Sequence, residues 1–260
     1  MLIDSHSHFD ASEFDRDRDA ALARARAAGV TRQIVPAVSA SGWDKLRAIC
    51  TPGSGLHPAY GLHPMYLDEH RDEHLPLLRE WIARERPVAV GECGLDFFVD
   101  GLDPQRQAFF FDGQLRLARD FDLPVIVHAR RAVDAVLAAI RRFGPLRGVV
   151  HSFSGSADQA KRLFDHGFLI GLGGPVTYER ANRLRTLARE LPLDSLLLET
   201  DAPDQPDAGI RGQRNEPARL TVVRDCIAGL RGIDAGTLAE ATTRNAERLF
   251  RLPQRDTGAH

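Results

Sequence analysis

Short apolar runs recur along the chain, and between them lie segments in which apolar side chains return every three or four residues. The runs are Leu2-Ile3-Asp4, Gln33-Ile34-Val35-Pro36, Ala59-Tyr60-Gly61-Leu62, Val88-Ala89-Val90-Gly91, Val125-Ile126-Val127, Gly148-Val149-Val150, Phe168-Leu169-Ile170-Gly171 and Leu196-Leu197-Leu198. Continuous apolar runs of this length read as buried parallel strands. The intervening periodicity predicts helices over Asp15–Ala28, His74–Glu85, Pro104–Phe121, Ala132–Phe143, Ser156–His166, Tyr178–Leu191, Glu216–Leu230 and Ala235–Phe250. Gly29 stands where a helix C-cap belongs, and Asp103-Pro104 supplies an N-cap followed by proline in the first turn.

Eight strands alternating with helices specify either a closed parallel barrel or an open doubly wound sheet. The position of the chemistry decides between them. His6 and His8, His63, Glu92, His128, His151 and Asp201 each follow one of the apolar runs. An open sheet gathers its ligands at one topological switch point, whereas groups from six strands converge only at the carboxyl rim of a closed barrel. The expectation is an α/β fold, a TIM (β/α)8 barrel, as a single domain over residues 1–252, with a loose tail over 253–260.

The chain has 260 residues, 43% of them hydrophobic and 27% charged, about the length of one such barrel. No apolar stretch reaches the roughly 20 residues that span a bilayer, and the N-terminus has no signal-peptide pattern, so a cytoplasmic protein without a membrane role is expected. Cys50, Cys93 and Cys226 lie far apart without CxxC spacing, which supports neither a disulfide framework nor a thiolate zinc site. A formal net charge of −2 excludes a protein coated in positive potential, so any polyanion must be gripped locally. Arg130-Arg131 after His128, and Arg211 and Arg214 after Asp201, are the available clusters.

His6-Ser7-His8 is the strongest local signal, because side chains two apart on an extended strand share a face and two imidazoles can grip one ion. Glu92, in Gly91-Glu92-Cys93-Gly94, is a carboxylate leaving a buried strand between glycines that permit close backbone approach. A buried carboxylate needs a cation, and its two oxygens can bridge two. His128 and His151 each end an aliphatic run beside that site. Asp201 comes from the last strand and can bind metal and take a proton from the attacking water. Glu199, two residues earlier, shares its strand face. Asp96 reads as a cap or an outer support. Of the two Leu-His-Pro sites, His63 ends a strand and is assigned to donate to substrate, while His57 is expected in a loop. His70, His74, His166 and His260 are expected to be solvated.

With these ligands in this order the sequence resembles the TatD family of metal-dependent hydrolases. The matching segments are Ile3-Asp4-Ser5-His6-Ser7-His8-Phe9-Asp10, Gly61-Leu62-His63-Pro64, Gly91-Glu92-Cys93-Gly94-Leu95-Asp96, His128-Ala129-Arg130, His151-Ser152-Phe153-Ser154-Gly155, Leu198-Glu199-Thr200-Asp201-Ala202-Pro203 and Arg214-Asn215-Glu216-Pro217. The resemblance implies a barrel with a pair of divalent metals and DNase activity, often 3′ to 5′ on single strands. It places His6, His8, Glu92 and Asp201 on one ion and Glu92, His128 and His151 on the other. Two segments depart from the family pattern. Asp204 to Gln213 lacks the histidine many members carry before Arg211, and Gly173-Gly174-Pro175 replaces a more usual serine-containing turn. Both resemble a branch described only as uncharacterised hydrolases.

The expected function is that of a deoxyribonuclease, a 3′-5′ exonuclease on single-stranded DNA that cleaves phosphodiester bonds by a two-metal-activated water. Asp201, Glu92 and His63 are the catalytic residues and His6, His8, Glu92, His128, His151 and Asp201 the metal ligands. His63, Arg130 and Arg214 contact substrate, while Phe97 or Phe98 either stacks on a base or packs under a loop. The alternative is an amidohydrolase or esterase acting on a small molecule or an aminoacyl-tRNA ester. A non-catalytic barrel would require a broken site, and no expected ligand is missing. Imidazole with carboxylate suits zinc, manganese or cobalt, and magnesium less naturally.

Overall fold

The protein is described by a computed structural model over residues 1–253; of the expected tail, all but Pro253 lies outside the described residues. Among those residues the elements run β1 (Leu2–Asp4), α1 (Arg18–Ala27), β2 (Val30–Pro36), α2 (Trp43–Ile49), β3 (Leu56–Tyr60), α3 (His74–Glu85), β4 (Ala89–Asp96), α4 (Pro104–Asp120), β5 (Val125–Arg130), α5 (Val133–Phe143), β6 (Gly148–Val150), α6 (Ala157–Asp165), β7 (Phe168–Leu172), α7 (Asn182–Glu190), β8 (Leu196–Leu198), α8 (Leu220–Arg231) and α9 (Ala235–Phe250). None of their helices is long and apolar enough to cross a membrane.

The strands make one parallel sheet in the order β1 to β8. The seam from β8 back to β1 is closed by individual hydrogen bonds. Ser5 N donates to the Leu198 carbonyl (3.0 Å) and Asp201 N to the His6 carbonyl (2.9 Å). The buried Asp4 carboxylate accepts from Thr200 N (3.0 Å) and Thr200 Oγ1 (2.6 Å). This is a TIM barrel, and its seam joins the two segments that carry His6 and Asp201.

Both faces of the sheet are buried, which is why the strands read as continuous apolar runs rather than alternating ones. Inside, Ile3, Ile34, Ala59, Ala89, Ile126, Val149, Leu169 and Leu197 supply one side chain per strand, and Ala246, Leu249 and Phe250 of α9 pack against that layer. Helix α9 lies across the amino-terminal ends of the strands, where Asn245 Nδ2 donates to the Leu196 carbonyl (2.9 Å) and Thr243 Oγ1 to the Met1 carbonyl (3.3 Å). Chemistry is thereby confined to the opposite rim. Phe250→Ala removes an aromatic plug and should cost about 3–5 kcal/mol of stability in a urea titration, with activity kept below the transition.

Several predicted elements shift. The first helix begins at Arg18 rather than Asp15, because Ser12–Phe14 forms a 3-10 turn with Phe14 buried. Arg18 Nε fastens that turn to the Phe9 carbonyl (3.0 Å). The helix expected from Tyr178 starts at Asn182, after a 3-10 turn at Gly174–Thr177. Helix α2 is absent from the periodicity because its seven residues bury only Trp43 and Leu46. His57 lies within β3 and not in a loop.

Candidate active site

Glu92 emerges where β4 slips its register against β5, between Val90 and Cys93. The close approach needs glycine: a Cβ on Gly94, which sits at φ +144°, would lie 2.0 Å from the His128 carbonyl oxygen. Fully buried, the Glu92 carboxylate has no hydrogen-bond partner of ordinary donor geometry on either oxygen among the described residues, yet five imidazoles surround it. Oε2 faces His6 Nε2 (3.2 Å) and His8 Nε2 (3.3 Å). Oε1 faces His151 Nε2 (2.7 Å), His63 Nε2 (3.0 Å) and His128 Nδ1 (3.3 Å). Asp201 Oδ1 completes the first side, 3.5 Å from both His6 Nε2 and His8 Nε2. Three overlapping groups have donor atoms within 4.8 Å of one another: His6, Glu92 and His151; His6, His8 and Asp201; His63, Glu92 and His128.

The outward hydrogen bonds of the rings decide which nitrogen faces the centre. His8 Nδ1 donates to the Pro36 carbonyl (3.3 Å), leaving the Nε2 lone pair inward. His128 Nε2 donates to Asp96 Oδ2 (2.8 Å), leaving Nδ1 inward. Against the penalty of burial, that contact and the Val99 and Phe98 amides hold the Asp96 carboxyl down at about 2, so it stays ionised and fixes the ring. His63 is the opposite case. Its Nδ1 accepts from Met65 N (3.1 Å), and burial lowers its pKa to about 4, so a neutral ring carries its proton on the inward Nε2. A protonated nitrogen cannot bind metal but can donate.

The sequence reading missed three supports. Gln205 Nε2 donates to Asp201 Oδ2, and Gln205 Oε1 accepts from Ser152 Oγ (2.8 Å). Glu199 Oε1 in turn accepts from Ser152 N, and burial first of all pushes the Glu199 carboxyl up to about 8. Ser152, Asp201 and Gln205 all hold positive φ (+46°, +57°, +47°), strain that clusters where a side chain must be aimed. No motif marks this chain, since it is assembled by loops. Gln205→Leu should lower kcat about tenfold or more with little change in KM, as loss of an outer support does. The third is His70, expected in solvent but 5% exposed, whose Nε2 donates to the His63 carbonyl (2.9 Å).

Above the centre opens a cavity of about 780 Å³. Arg130 lines it and is its one lysine or arginine among the described residues; Asp10, Glu13 and Asp204 line it too. Phe97 and Phe98 are exposed rather than packed under a loop, and the Arg130 guanidinium lies 3.6 Å from the Phe98 ring centre. Arg214 is not brought to the cavity. It binds Asp17 through Nη1 and Nη2 (2.7 and 2.8 Å) and covers Phe14, fastening the loop after β8 to the turn before α1. Arg211 is exposed and does not line the cavity either. His166 is exposed and His74 half-buried, while His260 lies outside the described residues.

Fold and site together define a parallel (β/α)8 barrel with a buried histidine and carboxylate centre at its carboxyl rim. A family model described as TatD related DNase matches residues 3–251. The chain belongs to that family and is a metal-dependent hydrolase. It is 44% identical over 255 residues to the uncharacterized metal-dependent hydrolase YjjV of Escherichia coli K12, covering 97% of this chain and 98% of that one. It is 35% identical over 263 residues to the 3′-5′ ssDNA/RNA exonuclease TatD of Erwinia tasmaniensis, covering 96% and 100%. The crystal structure of YjjV, a TatD homologue from E. coli K12, superposes with a TM-score of 0.93 at 43% identity over 97% of this chain and 98% of that one.

Proposed function

We propose that residues 1–252 act as one hydrolase domain that cleaves phosphodiester bonds at an end of single-stranded DNA, with Glu92 among the residues that would hold two divalent ions. The observation that carries this reading is the partition of Glu92. One of its oxygens faces His6 and His8, the other His128 and His151, and among the described residues neither has a hydrogen bond of ordinary geometry. Four inward imidazoles around a buried anion suit zinc, manganese or cobalt. His6, His8, Glu92 and Asp201 would hold one ion, and Glu92, His128 and His151 the other. When bound, the ions would supply Lewis acidity that lowers the pKa of water and neutralises a scissile phosphate.

The remaining work falls to the chain. Asp201, aimed by Gln205, takes the proton of the attacking water. His63 donates from Nε2 to a phosphate oxygen as charge develops there. Arg130 lies at the cavity wall, where it can pair with one flanking phosphate. Arg214, held by Asp17, is left out of this scheme.

The acidic rim limits how much nucleic acid is engaged. With Arg130 alone against Asp10, Glu13 and Asp204, the cavity suits one or two phosphates and not an extended strand. Raising salt from about 50 to 200 mM should then weaken binding roughly threefold for one phosphate and roughly sevenfold for two. The same rim favours a second reading, an amidohydrolase or esterase acting on a small molecule or an aminoacyl-tRNA ester. The test is to incubate metal-loaded protein with 3′- or 5′-labelled single-stranded DNA beside a panel of amide and ester substrates. Stepwise release from one end with a shallow salt response supports the nuclease. Turnover of the panel with intact DNA supports the second reading.

A further inference from the structure

At the far end of the barrel, beside the starts of β2 and β3, is a hollow of about 520 Å³ lined by Arg26, Thr31, Arg32, Ser54 and His57. Among the described residues no carboxylate lines it. Three of its polar atoms are buried without a partner among the described residues: Thr31 Oγ1, Arg32 Nε and His57 Nε2. Buried donors left unmade cost stability, so such a set asks for an acceptor. Arg32 is 5% exposed, and its two terminal nitrogens are each engaged, by the Pro253 carbonyl (3.0 Å) and by Glu247, which leaves Nε as its one nitrogen without a partner among the described residues. Arg26 spends one nitrogen on the Ser54 carbonyl (2.6 Å) and has no carboxylate partner among the described residues. The turn that brings Ser54 there depends on Gly55, at φ +81°, where a Cβ would lie 2.4 Å from the Thr31 carbonyl oxygen.

We propose that this hollow is a second binding site, for the phosphate group of a small molecule or for free phosphate, at the end of the barrel away from the catalytic centre. Two guanidiniums donate, an imidazole and two hydroxyls can donate beside them, and phosphate presents several strong acceptor oxygens to guanidinium groups. The volume falls within the range of small-molecule sites. Burial, and secondly Arg32, lower the pKa of His57 to about 4, an imidazole short of an anion. None of these residues touches the catalytic centre, so the site stands whatever bond that centre cleaves.

The test uses the histidine side-chain NMR signals of the full chain, with that of His57 identified by its loss in His57→Gln. Inorganic phosphate and, separately, dAMP are titrated at fixed ionic strength, with chloride as control. A saturable shift of the His57 signal is expected with phosphate or dAMP and not with chloride. Arg26→Ala, on the exposed face of α1, should weaken it about tenfold or more, whereas Glu92→Gln should leave it unchanged. Tighter binding of dAMP identifies a phosphorylated small molecule as the ligand, and tighter binding of phosphate the free ion. The proposal is overturned if millimolar phosphate and dAMP both leave the His57 signal unmoved, if chloride moves it equally, or if Arg26→Ala responds like the wild type.

Discussion

Glu92→Gln is expected to lower kcat/KM by at least about three orders of magnitude while the barrel stays folded, a loss of about 4 kcal/mol of transition-state stabilisation. The substitution keeps the shape of a fully buried side chain and removes its charge. It leaves His6 and His8 on one side and His128 and His151 on the other without the anion between them. Because an amide offers one acceptor oxygen where the carboxylate offers two, the two halves of the site are uncoupled as well as weakened. Steady-state kinetics with metal analysis and circular dichroism on the same preparation check this. A folded variant with near wild-type turnover would remove Glu92 from the centre of the account.

Asp201→Asn separates proton transfer from binding. The backbone bond from Asp201 N to the His6 carbonyl is independent of the side chain, so the β8 to β1 seam survives. The carboxylate, facing His6 and His8 through one oxygen and Gln205 through the other, is replaced by a group that cannot take a proton. Turnover should fall about 10²–10⁴-fold, the range for loss of a positioned acid or base, with KM changed far less. Single-turnover rates at saturating substrate measure this without interference from product release. A rise in KM with kcat unchanged would instead assign Asp201 to ground-state binding.

How much of this was legible in the sequence follows from which residues carry a periodic signal. His6, His8 and His151 stand just past the ends of buried strands, and Glu92 and His128 lie within β4 and β5 directly after their apolar runs, so the runs point to all five and the closed barrel brings them together. Gln205 and Ser152 lie on loops whose course is set by positive φ values, and no periodicity reports a contact between residues 53 positions apart. His70 was misread because its short 3-10 segment looks solvated, whereas the fold turns it back onto the His63 carbonyl. Arg214 misled in the other direction. It sits in a family motif, but its nearest anions are on Asp17, 197 positions away, which a strand-end argument cannot see.

Anomalous diffraction from crystals grown with manganese or zinc tests most directly whether a pair of ions is held on either side of the Glu92 carboxylate. Two anomalous peaks about 3.5–4 Å apart are expected, one among His6, His8 and Asp201 and one between His128 and His151, with a Glu92 oxygen on each. A single peak, or two peaks that Glu92 does not touch, would contradict that arrangement.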